Sequence, residues 1–114
     1  MEQSRNTGAD EPEVATELSG DVATITVRGE LTEAARRPLV RTMSELLLEV
    51  ASLRRVRLRL GAVPFMNSAG MAVLVQLAKL GAPRGVEVHL VDPPSAVVRP
   101  LQLSGLWHRF PIEE

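Results

Sequence analysis

RVRLRLGAVPFMNSAGMAVLVQLAKL, residues 55–80, changes its period halfway through. Arg55, Arg57 and Arg59 alternate with Val56, Leu58 and Leu60, the two-residue repeat of a strand with one buried face. After Gly61, Ala62, Val63 and Pro64 the alternation stops. From Ser68 to Leu80 the chain is apolar nearly all round. Only Gln76 and Lys79 are clearly polar, and three residues apart they share one face of a helix. A strand that feeds such a helix predicts an α/β domain. The helix is either deeply buried or lends apolar surface to a partner.

The flanking segments extend this pattern in both directions. Upstream, Val14, Thr16 and Leu18 alternate with Ala15, Glu17 and Ser19, and Gly20-Asp21 suits a hairpin turn. VATITVR, 22–28, alternates again with Ala23, Ile25 and Val27 on one face, so two antiparallel strands are expected. GELTEAARRP, 29–38, reads as a loop. Pro38 fits a first helical turn, and beyond it Leu39, Met43, Leu46, Leu47 and Val50 recur at helical spacing. Downstream, 81–85 is a loop and VEVHLV, 86–91, is a fourth strand. Asp92-Pro93-Pro94-Ser95 opens a third helix through AVVRPLQL, although Pro100 removes one of its hydrogen bonds. Gly105 after Ser104 suits a left-handed cap, and 107–110 is expected to add a brief edge strand.

The order strand, strand, helix, strand, helix, strand, helix implies a mixed sheet of four to five strands. The first two run antiparallel, and the later ones run parallel through helical crossovers. Because the strands alternate, helices should cover mainly one sheet face and water the other. Residues 1–12, polar and containing Gly and Pro, are expected to be a disordered tail. The domain is expected over 13–110, with a C-terminal tail at 111–114.

Composition narrows the chemistry. A length of 114 residues suits one domain. With 45% hydrophobic but only 3% aromatic residues, Leu, Val and Ala must fill the core. There is no cysteine, which excludes disulfides, thiol catalysis and thiolate metal sites. A net charge of −1 gives no global field for nucleic acid or an anionic membrane. No apolar run approaches the roughly 20 residues that span a bilayer. The start, MEQSRNTGADEPE, lacks the basic-then-apolar order of a signal peptide. The expectation is a cytoplasmic protein without membrane insertion.

Enzyme signals are missing. His89, mid-strand on the expected open face, and His108 are read as solvated or structural, with no ligand-spaced partner. There is no Gly-x-Ser-x-Gly elbow and no glycine-rich phosphate loop. No base is nominated to activate Ser68 as a nucleophile. The arginines at 55, 57 and 59 make a basic ladder beside Arg28, but the stacking aromatics of RNA-binding sheets are absent from it. Glu17 and Glu87 dilute that ladder, so a solvated face is expected and no nucleic-acid partner. No catalytic residue, cofactor or metal is expected.

Ser68 or Asn67 suits the N-cap of the apolar helix, and most serines at helix starts are only caps. The neighbouring residues add to this. FMNSAGM, 65–71, resembles the signature of STAS domains (sulfate transporter and anti-sigma factor antagonist). VRGELT, 27–32, resembles the family's Gly-Glu-Leu-Asp after the second strand. HLVDPPSAVVRPLQLSGL, 89–106, resembles its last strand and helix with the terminal Ser/Thr-Gly-Leu. The likeness covers about 13–110.

The resemblance implies a STAS-like fold and, for a stand-alone member, an anti-anti-sigma factor, also called an anti-sigma factor antagonist. It implies a partner that is an anti-sigma factor with GHKL-type serine kinase activity. That kinase phosphorylates the serine at the position of Ser68 and so ends binding, and a PP2C-type phosphatase resets the cycle. The implied partner surface is Glu30, Thr32 and Glu33 with Asn67, Ser68, Ala69, Gly70 and Met71. A phosphate on a helix N-terminus meets free N–H groups and adds about −1.5 to −2 charges to a docking surface.

Two departures stand out. The signature's Asp is Asn67 here. The Asp of Gly-Glu-Leu-Asp is Thr32, unless a one-residue insertion puts Glu33 in its place. If Glu33 does not substitute, two negative charges are lost from a surface that would attract a basic partner. These changes favour an alternative: a STAS scaffold or small-ligand subunit of a larger regulatory or transport complex, without phosphorylation. An enzyme on a similar sheet is a third reading, opposed by the missing catalytic set.

Overall fold

A computed structural model gives the fold of residues 11–114. Most of the expected N-terminal tail lies outside the described residues. Its last member, Pro12, does not behave as tail: it is buried, and its Cα lies 3.1 Å from the place a Cβ on Gly29 would occupy.

The first two strands are β1 (Glu13–Ser19) and β2 (Val22–Arg28), paired antiparallel around the Gly20-Asp21 turn. A 3-10 turn (Glu33–Ala35) leads into α1 (Arg36–Glu49). Then follow β3 (Arg55–Ala62), α2 (Ser68–Gly81), β4 (Glu87–Val91), α3 (Ser95–Ser104) and β5 (Ile112–Glu113). The strands lie in the order β1-β2-β3-β4-β5, and every pair after the first is parallel. The domain is therefore a single α/β unit with a five-stranded mixed sheet and three helices. No helix among the described residues is long and apolar enough to cross a membrane.

Alternation along the strands sorts the two sheet faces. Ala23, Ile25 and Val27 of β2, Val56, Leu58 and Leu60 of β3, and Val88 and Leu90 of β4 are buried under the helices. Against them α1 sets Leu39, Met43 and Leu46, α2 sets Val73, Leu74 and Leu77, and α3 sets Val97 and Leu101. Apart from the adjacent Val73 and Leu74, these fall at intervals of three and four, so each helix offers the sheet one stripe. Each large aliphatic side chain removed from water in this way contributes about 2 kcal/mol. No polar or charged residue is buried among the described residues. Of the two readings for the apolar helix, burial accounts for most of α2; Ala72 and Lys79 face solvent, and Val75 and Gln76 are half-buried.

Several boundaries differ from the sequence reading. α1 starts two residues before Pro38, which sits in its first turn where its missing N–H costs nothing. α3 runs unbroken through Pro100. The segment expected as an edge strand, 107–110, is a 3-10 turn (Leu106–Arg109). Gly105, at φ +80°, reverses the chain at the end of α3, and Phe110 anchors the turn in the core. The edge strand comes next, at Ile112–Glu113, within the stretch read as a C-terminal tail. Leu90 N–H donates to the Pro111 carbonyl at 2.9 Å and Asp92 N–H to the Glu113 carbonyl at 2.8 Å.

Candidate functional site at the start of the buried helix

β2 and β3 run parallel and finish at the same end of the sheet, and their exits stay joined. Leu31 N–H donates to the Phe65 carbonyl at 2.9 Å, and Asn67 N–H donates to the Leu31 carbonyl at 3.2 Å. The result is a parallel bridge between Leu31 and Met66 beyond the last strand residues. In open α/β sheets the crevice outside the carboxyl ends of parallel strands is where ligands meet the fold. The 29–32 loop and the start of α2 both lie there.

Gly70 fixes how closely they approach. A Cβ on Gly70 would stand 1.9 Å from the Leu31 carbonyl oxygen and 2.4 Å from its carbon. Only a residue without a side chain lets the first turn of α2 lie against that backbone. Leu31 and Gly70 are both buried, so they hold the site together from beneath.

Asn67, not Ser68, caps the helix. Its backbone is extended (φ −105°, ψ −176°), and its side-chain oxygen accepts the Gly70 N–H at 2.9 Å. The Asn67 carbonyl accepts the first intrahelical bond, from Met71 N–H at 2.9 Å. Ser68 is the first helical residue and is exposed. Its hydroxyl is not spent on capping, and the Ser68 and Ala69 amides lie ahead of the first helical hydrogen bond. Ala69 is half-buried. Met71 is half-buried and packs on the core, where its sulfur accepts the Ser104 hydroxyl at 3.4 Å.

The 29–32 loop divides in function. Glu30 is exposed. Thr32 caps the 3-10 turn, its hydroxyl oxygen accepting the Ala34 N–H at 3.2 Å. Glu33 turns to Arg36, whose guanidinium donates to both carboxylate oxygens, at 3.0 and 3.1 Å. The hydrogen bond from Arg36, and then its charge, hold the Glu33 carboxyl below its usual value. Arg36 also donates to the Gln76 side chain on α2. The carboxylate of Glu33 is thus engaged within its own chain, and Asn67 and Thr32 carry no charge.

Two residues at this end escaped the sequence reading as site members. Leu31 was quoted within its motif, but only the bridge to Met66 reveals it as the hinge between the two loops. Phe65 is 46% exposed, a large apolar side chain close in sequence to Ser68. Its place after a strand and two residues before the cap was the available signal.

The sheet's open face carries a second polar cluster. Arg57 donates to Glu113 at 2.8 Å and to the Thr24 hydroxyl at 3.2 Å. His89 places one ring nitrogen 2.8 Å from Glu113 and the other 2.9 Å from Glu87. His89 does have acidic neighbours, contrary to the sequence reading: Glu87 lies two residues back on the same strand face, and β5 brings Glu113. Partial burial raises the Glu113 carboxyl, but hydrogen bonds from Arg57 and His89, with their charges, outweigh it and leave it below its usual value. Glu87 is lowered by its hydrogen bond to His89 and then by the charge of the ring. No cluster that could hold a metal ion occurs among the described residues.

Comparison with known proteins bears on the end that carries Ser68. The family model described as STAS domain matches residues 13–114. No curated relative matches the chain. Among solved structures, an anti-sigma factor antagonist from Mycobacterium paratuberculosis is 26% identical, with a TM-score of 0.72 over 91% of this chain and 86% of that one. The anti-sigma factor antagonist SpoIIAA in its unphosphorylated form is 19% identical, with a TM-score of 0.69 over 90% of this chain and 89% of that one. The phosphorylated form of SpoIIAA, a Bacillus cell fate determinant, is 19% identical, with a TM-score of 0.66 over 90% and 92%.

Proposed function

The chain belongs to the STAS domain family, and from that premise we propose that it is an anti-sigma factor antagonist whose docking is switched off by phosphorylation of Ser68. In this reading the protein binds an anti-sigma factor that is also a GHKL-type serine kinase and thereby regulates sigma-factor-dependent transcription. The kinase holds the ATP, and a PP2C-type phosphatase restores the hydroxyl. The role is regulatory rather than catalytic, and its setting is the cytoplasm. The docking surface is the exposed part of the 29–33 loop, with Glu30, Thr32 and Glu33, and the start of α2, with Asn67, Ser68 and Ala69. Gly70 and Met71 shape that surface from below.

One observation carries the proposal: the cap is made by Asn67, so the exposed Ser68 hydroxyl is free for chemistry. A phosphate there meets the leading amides and the positive end of the helix dipole, so the fold tolerates it. The same phosphate adds about −1.5 to −2 charges to the docking surface, so binding fails without unfolding. SpoIIAA, which has this fold, exists in both phosphorylated and unphosphorylated forms.

The test is incubation with a candidate kinase and ATP, followed by intact mass. A gain of about 80 Da that Ser68→Ala abolishes is the expected result. No gain with an active kinase removes the switch. Ser68→Asp should weaken the kinase complex while leaving the Tm nearly unchanged. If that variant unfolds, Ser68 is structural.

A second reading rests on charge. The Glu33 carboxylate is engaged by Arg36, and Asn67 and Thr32 are neutral, which favours a STAS scaffold or small-ligand subunit that is never phosphorylated. The same mass measurement separates the two.

A further inference from the structure

The outward stripe of α2 continues well past Ser68. Ala72, Val75, Gln76 and Lys79 follow at helical spacing and floor a depression of about 460 Å3, walled by Arg36 and Leu106. Lys79 also lines a second hollow of about 280 Å3 over Ala78, Val86 and Pro111, where Arg109 and Glu87 stand at the margin. The two hollows meet at one side chain and form a track along the helix.

Charge is unevenly answered along it. Arg36 is paired with Glu33, and Glu87 with His89. Lys79 and Arg109 form no ion pair among the described residues. The track begins uncharged at Asn67 and Ser68, is apolar over Ala72, Val75 and Leu106, and ends on two unanswered cations. Eleven residues separate Ser68 from Lys79, about 16 Å of helix, so three turns of a partner helix would cover it.

Building on the docking role above, we propose that the partner element lying on this track is an amphipathic helix with apolar residues at its centre and carboxylates opposite Lys79 and Arg109. Of the loop's two carboxylates Glu33 is engaged by Arg36 and Glu30 stays exposed, whereas along the track on α2 the unpaired charge is positive, at Lys79 and Arg109. Apolar anchors supply contact area in such grooves, and the charges at the rim set orientation and partner choice.

The experiment titrates the 15N-labelled full chain with a synthetic amphipathic helical peptide carrying leucines along one face and glutamates at one end. The same peptide with lysines for the glutamates is the comparator. The glutamate peptide is expected to give saturable shifts at Ala72, Val75, Gln76 and Leu106 and to bind at least tenfold more tightly, and Lys79→Glu is expected to reverse the preference. Lys79 is exposed, so this variant should keep its Tm, and Lys79→Gln, which abolishes the preference without reversing it, serves as a second variant. Equal binding of the two peptides, shifts that avoid these residues, or indifference to Lys79→Glu overturns the proposal. Kinase treatment of the parent chain, read by mass, reports on Ser68 separately: a phosphorylated Ser68 without peptide preference leaves the switch standing and removes the acidic partner.

Discussion

Polar groups on the helix-free face of the sheet and at the start of α2 are handled in opposite ways. On the sheet, four side chains of β3, β4 and β5 close on one another, Arg57 with Glu113 and His89 between Glu113 and Glu87, while the exposed Arg55 and Arg59 form no ion pair among the described residues. At the start of α2, the cap satisfies one amide, and the next residue offers its hydroxyl to solvent. Charges that already answer one another offer a charged partner little, since any contact must first break a good pair. A helix start with leading amides and a spare hydroxyl offers a great deal. The contrast favours Ser68 over the cluster around Glu113, although Arg57 in that cluster belongs to the more conspicuous arginine ladder of the sequence.

The contrast can be tested by substitution. The largest effect is expected at Gly70. Glycine to alanine inside a helix ordinarily gains up to about 1 kcal/mol from propensity alone. Here the new methyl meets the Leu31 backbone, so Gly70→Ala should destabilise by about 3 kcal/mol in urea unfolding. A neutral or stabilising result would mean that the two loops are not in contact.

Next comes the cap. Asn67→Ala removes the acceptor for Gly70 N–H and should cost about 1 kcal/mol, whereas Ser68→Ala should change stability by less than about 0.5 kcal/mol. Equal effects at the two positions, in the same denaturation series, would erase the division of labour between them.

The smallest effect is on the sheet face, and its signature is pH. Glu113 and Glu87 have carboxyls lowered by folding, so their stabilisation is complete above the ordinary value of 4.5. It is lost as the pH falls through their lower folded-state values, because the unfolded chain takes up protons first. Tm measured from pH 6 down to pH 3 should therefore fall less steeply in Glu113→Gln than in the parent. At pH 7 that variant should lose under about 1 kcal/mol, the pair being partly solvated.

The strand–helix alternation was legible because burial imposes a period on sequence, and Leu58, Leu60 and Leu74 sit where their periods place them. The sheet's mixed direction followed from the hairpin at Gly20-Asp21 and the helices that join the later strands. What escaped was decided by contacts distant in the chain. Two residues, Ile112 and Glu113, are too few to show a period, and their strand exists because Leu90 and Asp92 offer it an edge. His89 looked solitary because Glu113 lies 24 positions away, while Glu87, two positions back on the same expected strand face, was an available neighbour weighed only against the arginines. The choice between Asn67 and Ser68 as cap depends on a rotamer, which sequence does not encode. The engagement of Glu33 with Arg36 was, by contrast, an ordinary three-residue pairing that the loop assignment concealed.

The strand order of the sheet bears on how the protein is made. Every strand lies beside the one that precedes it in the chain. During synthesis each newly emerged strand finds its neighbour already in place and need not wait for a distant segment to complete the pair. Assembly can therefore keep pace with the ribosome, adding one strand at a time to a growing edge, which limits the interval in which an unpaired apolar strand is open to aggregation.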